Sequence, residues 1–209
     1  MQAVESQNLI LYYSDLRGQW PEAAARSLAR KLRYAKRLEV EALGERGRAT
    51  LAGVALALRA LTHLTGSPVR AADLAFPAAG KPQLADAAHA GATPDFSISH
   101  SGPWVGCAAV ARGCVGFDVE LGMGGRLREW TAREAAAKAC GAGLAEAREV
   151  QLLEDTAFCR GVPLYARTLG LFAGAMACAM TSLPVSGLET RALALAELFD
   201  PWRSCPTHE

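Results

Sequence analysis

The chain contains no C-x-x-C pair, although it has six cysteines, at positions 107, 114, 140, 159, 178 and 205. Without such pairs a zinc ribbon or a redox dithiol is not expected. The cysteines sit mostly inside Ala/Val/Leu-rich runs, which suits reduced thiols serving as small apolar side chains. A cytoplasmic protein without disulfides or zinc is therefore expected. Long hydrophobic runs are missing too. The longest, LGLFAGAMACAM from Leu169 to Met180, is rich in Gly and Ala and falls well short of the roughly 20 residues that cross a bilayer. The opening stretch MQAVESQNLILYYSD has no basic start ahead of a long apolar run, so no secretory signal is expected. Net charge is almost absent, at +1, which argues against a surface built to coat nucleic acid. No fixed-period repeat runs through the sequence.

What is present is apolar bulk. At 209 residues and 51% hydrophobic composition, the chain can bury a sizeable core as one large domain or two small ones. One segment breaks the charge balance: Arg26 to Arg48 holds eight Lys/Arg against three Glu. It can meet an anion, or it can be a solvated helix face stitched by i,i+4 pairs. Glu22 to Leu64 has helical periodicity, with Leu51, Leu58 and Leu61 among the apolar positions and Gly66 as the stop. The Pro-, Gly- and Asp-rich stretch after it reads as loop with at most short strands. Next come three strands, FSISH, WVGCAAVA and CVGFDVE, with Arg112-Gly113 as a turn. A helix from Trp130 to about Ala139 ends at Gly141. The last third reads as a small antiparallel sheet, and LETRALALAELF is ambiguous. The expected fold class is α+β, with two pseudo-equivalent halves, 1–112 and 113–209, each a helix plus a small antiparallel sheet, and the site at their interface.

Three groups of residues can carry chemistry. On a strand, Asp118 and Glu120 project from one face, and carboxylates that close repel unless a cation or protons relieve them. Mg²⁺ suits such oxygen ligands; on an exposed edge the same pair is simply solvated. Glu134 and Lys138 are i,i+4 on one helix, so they either aim at a common site or form an ordinary surface pair. Trp130, one turn earlier, reads as packing. Ser99-His100-Ser101-Gly102 at a strand end offers hydroxyl, imidazole and backbone donors suited to phosphate, or a structural histidine in a turn. Nothing adjacent makes it a Ser/His catalytic pair.

In combination and in this order, GKPQL, FSISHSG, VGFDVE and WTAREAAAKACG resemble the 4′-phosphopantetheinyl transferases, in particular the larger pseudodimeric type that activates carrier proteins of peptide and polyketide synthesis. The match spans Arg48 to Gly141. The resemblance implies that Asp118, Glu120 and Glu134 hold Mg²⁺ on the coenzyme A pyrophosphate and that Lys138 contacts the transferred phosphate. It also implies that Ser99, His100, Lys81 and Arg48 bind the nucleotide phosphates. Its expected partners are coenzyme A and an apo acyl or peptidyl carrier protein, with no nucleic acid and no membrane, and with the chain as a monomer. Two features depart from the family pattern. Arg133 stands where lysine is usual, and only nine residues, Leu121 to Glu129, separate Glu120 from Trp130, where the family has a longer insertion near the carrier protein. Two rivals use the same residues differently. One is a Mg²⁺-dependent nuclease or phosphodiesterase, which leaves the S-H-S-G and G-K-P elements without a role. The other is a non-catalytic coenzyme A binding protein.

Overall fold

A computed structural model describes residues 6–33, 36–37, 40–41, 44–77, 80–85 and 93–203. It is an α+β fold of two main sheets and a small two-stranded one. The first begins with β1 (Gln7–Asp15), followed by the helices α1 (Glu22–Lys31) and α2 (Glu45–Thr65). Gly66 caps α2 in the left-handed conformation (φ 65°), the stop its position suggests. The Pro/Gly-rich stretch yields only β2 (Leu74–Ala75) and β3 (Gln83–Leu84), paired with each other. Next come β4 (Asp95–Ser101) and β5 (Trp104–Val110), a tight hairpin turned by Gly102 at φ +55°. β6 (Val115–Leu121) leads into the helix α3 (Gly125–Ala139) and a single turn, α4 (Leu144–Ala147). The rest is β7 (Gln151–Leu152), β8 (Thr156–Cys159), β9 (Val162–Leu169), β10 (Ala175–Thr181) and β11 (Val185–Ala192), then the short helix α5 (Leu195–Leu198).

The strand order is β11-β1-β5-β4 in one sheet and β6-β10-β9-β8-β7 in the other. The second matches the antiparallel sheet expected in the last third. β11, where the sequence was ambiguous, leaves the second half of the chain and pairs in parallel with β1. β1 itself, absent from the sequence reading, is central to the first sheet. Its burial, nearly unbroken from Leu9 to Tyr12, erases the alternation by which a half-buried strand is recognised.

Alternation within the buried strands sorts side chains into three cores. Ile10, Tyr12, Phe96 and Cys107 face α1 and α2. Leu9, Leu11, Ala108 and Val110 meet Val115, Phe117 and Val119 of β6 between the sheets. Cys178 and Met180 of β10 pack under α3 with Ala135, Ala136 and Ala139. Layers therefore run helix, sheet, sheet, helix. The five cysteines within the described residues carry free thiols, and Cys205 lies outside them. No helix among the described residues is long and apolar enough to cross a membrane.

The edge strands β4 and β6 run side by side in the same direction and are joined by side chains. Asp95 accepts from the Val115 N–H at 2.7 Å, Ser99 Oγ donates to Asp118 Oδ1 at 2.8 Å, and Ser101 Oγ donates to Glu120 Oε2 at 2.9 Å while accepting from the Leu121 N–H at 3.0 Å. The polar side chains of β4 thus satisfy backbone donors that an unpaired edge of β6 would leave open.

Candidate metal centre

Asp118 and Glu120 sit two residues apart on β6 and project toward α3, as strand periodicity requires. The helix comes close enough because residue 116 is glycine: a Cβ there would lie 1.8 Å from the Ala135 carbonyl oxygen and 2.4 Å from the Ala139 nitrogen. With no side chain intervening, α3 packs directly on β6 and brings Glu134 to the two strand carboxylates. One oxygen from each of Asp118, Glu120 and Glu134 lies within 4.8 Å of the others. Asp118 and Glu134 are buried and Glu120 is half-buried. Three carboxylates this close are mutually repulsive when ionised, and the arrangement can hold a metal ion.

The hydrogen bonding around Asp118 is uneven. Its Oδ1 accepts from Ser99 Oγ and from Lys138 Nζ at 2.6 Å, whereas Oδ2 is buried without a partner. Buried carboxylate oxygens left unpaired are costly, so this lone-pair site fits a cation as its missing partner. Lys138 Nζ also donates to Ser99 Oγ at 3.1 Å, so the i,i+4 partner of Glu134 points into the cluster. Glu134 carries a pKa raised above the ordinary glutamate value, first by burial and next by the charge of Asp118, with Lys138 and a hydrogen bond from Trp130 opposing. Trp130 therefore supports Glu134 as well as packing from α3 against the core beneath the helix.

Ser99 and Ser101 act together on this cluster, each fixing one strand carboxylate. Ser99 was read from the sequence as a phosphate contact; its hydroxyl is engaged by Asp118 and Lys138. Ser101 was singled out only as part of S-H-S-G. The period-two series Asp95, Ser97, Ser99, Ser101 was the signal that one face of β4 is polar.

His100 points the other way, into a cavity of about 590 Å³ that it lines with Ser101, Arg17, Arg46, Arg48 and Trp20. The protein around its ring lowers its pKa below the ordinary imidazole value although the side chain keeps an exposed surface, and Lys138 and Arg46 push the same way. Arg48 lines this cavity too, but donates to Glu22 Oε1 at 3.1 Å and stands over the Trp20 ring. Arg46 has no hydrogen bond or ion pair among the described residues. It belongs to the basic segment seen in the sequence, part of which lies outside the described residues. Arg17, held by Asp15, gave no sequence signal.

Lys81 is not brought to this group. Its ammonium pairs with Asp95 and donates to the Val115 carbonyl oxygen at 2.7 Å, and its side chain is 11% exposed. Asp95 and Ser99 are four residues apart on β4, so this pair stands about 13 Å of extended chain from the carboxylate cluster. In this structure the Lys81 ammonium is engaged in a partly buried ion pair rather than at the carboxylate cluster. Arg133, the departure from lysine, clamps α3 in place: it donates to Glu129 Oε1 at 2.9 Å and to the carbonyl oxygens of Arg148 and Val150. The nine-residue connection shortens further, because α3 starts at Gly125 and leaves only Gly122, Met123 and Gly124 between strand and helix. Met123 is 72% exposed and Leu121 53%.

No known family pattern matches this chain, and no curated protein matches it in sequence. The functional reading therefore rests on the geometry and on the motif resemblance.

Proposed function

We propose that this protein transfers the 4′-phosphopantetheine arm of coenzyme A to a serine hydroxyl of an apo carrier protein, with Mg²⁺ held by Asp118, Glu120 and Glu134. The observation that carries this reading is the convergence of those three carboxylates, with an unpartnered Asp118 oxygen among them. Bound there, Mg²⁺ would neutralise charge on the coenzyme A pyrophosphate. The residues of the chain account for the remaining steps. Glu134, with its raised pKa, accepts the proton of the attacking serine. The serine oxygen forms the new bond to the pantetheine-bearing phosphorus, the P–O bond to the second phosphate breaks, and 3′,5′-adenosine bisphosphate departs. Lys138, already at the cluster, stabilises the charge on that leaving phosphate. The nucleotide's anionic end is met in the neighbouring cavity by His100, Arg46 and Arg48. Such a reaction needs alignment and charge neutralisation more than a protein nucleophile.

On this reading the two sheets, each with a long helix against it, are pseudo-equivalent halves in one chain, and the cluster lies at their junction. The setting is cytoplasmic and the working form a monomer. Mass spectrometry tests the activity: candidate apo acyl and peptidyl carriers incubated with coenzyme A, Mg²⁺ and this protein should gain the mass of one arm. Coenzyme A binding without modification of any carrier would reassign the protein as a binder, and Mg²⁺-dependent DNA cleavage would reassign it as a nuclease.

A further inference from the structure

A second cavity, of about 450 Å³, opens at the carboxyl-terminal end of α2, away from the carboxylate cluster. Ala49 borders the first cavity, whereas Leu58, Arg59, Thr62 and His63 border the second. At 1.5 Å per residue, the two lie roughly 15 Å apart along the helix. The volume falls in the range of small-molecule sites, about 300–1,000 Å³.

Its apolar wall is formed by Leu58, Val69 and Trp202 together with Tyr12, which is 2% exposed. Tyr12 Oη lies 2.6 Å from His63 Nδ1, and that nitrogen lies 3.4 Å from Glu189 Oε1. The wall thus carries a small fixed polar group. Around it stand Lys31, Arg59, Arg70 and Arg191, and no carboxylate is among the lining residues. Two of these cations are already matched, Arg70 by Asp73 and Arg191 by Glu197. Lys31 has no ion pair among the described residues, and Arg59 makes only a 3.3 Å hydrogen bond to the Glu197 carbonyl oxygen. The carboxyl-terminal end of α1 favours cations, which accounts for the sign of Lys31, in its last turn, but not of Arg59, which lies more than a turn before the end of α2. Nor does that preference require that basic groups from α1, α2 and β11 converge on one aromatic-walled cavity.

We propose that this cavity binds a small organic anion with an apolar or aromatic body, its charge met by Lys31 and Arg59 and its body resting on Tyr12 and Trp202. The site is separate from the transferase reading and stands whether or not that reading holds.

The test is an NMR titration of the full chain with 1-naphthyl phosphate, 1-naphthoate and neutral 1-naphthol, following the Trp202 indole and His63 signals. The phosphate should bind at least about tenfold more tightly than the neutral ring, with shifts concentrated on Trp202 and His63. A matching response to 1-naphthoate would identify a general anion site; a response to phosphate alone would narrow the ligand to an organic phosphate. The double variant Lys31→Glu/Arg59→Glu should lose about tenfold or more in affinity with an unchanged melting temperature. Val69→Trp, which fills the cavity and keeps the charges, should also block binding. Equal affinity for the neutral ring, undiminished binding by both variants, or shifts centred on His100 and Arg46 would each overturn the proposal.

Discussion

Two aspartates, Asp95 at one end and Asp118 near the middle of the seam between β4 and β6, are built from the same parts: a strand carboxylate, a lysine and a neighbouring strand. Asp95 is complete. Its Oδ2 is matched by Lys81 and the Val115 N–H, and the pair carries no surplus charge. Asp118 also has its lysine, Lys138, yet Glu120 and Glu134 stand beside it and its own Oδ2 has no partner. With all three carboxylates ionised, one ammonium leaves two negative charges uncompensated, the deficit that one divalent cation fills. A buried ion pair by itself is thus weak evidence of function; the signal is the surplus. The same contrast separates Lys81 from Lys138: both were expected at phosphate, and only Lys138 stands where charge remains to be matched.

The sharpest way to break this comparison is to neutralise each aspartate in turn. Asp118→Asn should cost at least about a thousandfold in carrier modification, the scale on which loss of one charge-stabilising group is felt. It should also abolish stabilisation by Mg²⁺ in thermal melts while leaving the metal-free fold intact. Asp95→Asn should do the opposite, lowering stability by about 3–5 kcal/mol, because it leaves the Lys81 ammonium buried without a counter-charge, with little change in activity per folded molecule. If both variants lose activity and neither loses stability, the distinction between the two sites fails. Gly116→Ala comes next. Its Cβ would meet backbone atoms of α3, which cannot step aside as a side-chain tip can. The cost should exceed the ~1–3 kcal/mol of ordinary overpacking and should lift Glu134 and Lys138 off the strand, weakening metal binding as well. Smaller again, Ser101→Ala and Ser99→Ala should each lower Mg²⁺ affinity by about 10- to 100-fold, the usual effect of removing a group that orients a ligand. Calorimetric titration would measure it.

Strand and helix periodicities showed that Asp118 shares a face with Glu120 and Glu134 with Lys138, whereas the grouping of all four at one site came from the motif resemblance. Bringing the two faces together depends on Gly116, a residue whose role lies in what it omits. The antiparallel sheet of the last third followed from its turns, whereas β1 and its parallel pairing with β11 could not be read, since contacts about 180 residues apart leave no local pattern. The partner of Lys81 was not legible for a related reason: the G-K-P turn shows where a lysine is, but not that Asp95, fourteen residues later, pairs with it. Arg17, Arg46 and Trp20 meet His100 in one cavity only through the fold, and the short strand-to-helix connection became clear only when α3 proved to start at Gly125.

The smallest effect is a pH dependence, and it refines the account of surplus charge. Burial, followed by the charge of Asp118, raises the pKa of Glu134, so the metal-free folded protein holds that proton more tightly than the unfolded chain does. Glu134 therefore favours folding most below the ordinary glutamate pKa. Its contribution should decline as pH rises toward the raised value and stay level above it. Asp15, Asp73 and Glu146 have lowered values and contribute with the opposite sign, gaining as pH rises, so the readout must be a difference. Melting temperatures in chelator should fall with rising pH relative to those of Glu134→Gln, which cannot ionise. With Mg²⁺ added, the gap between the two proteins should reverse at neutral pH, because only the native carboxylate can pair with the ion. A metal-free parent that gains stability over its Gln variant across this window would show that Glu134 is already matched, as Asp95 is, and that the cluster has no deficit for a cation to fill.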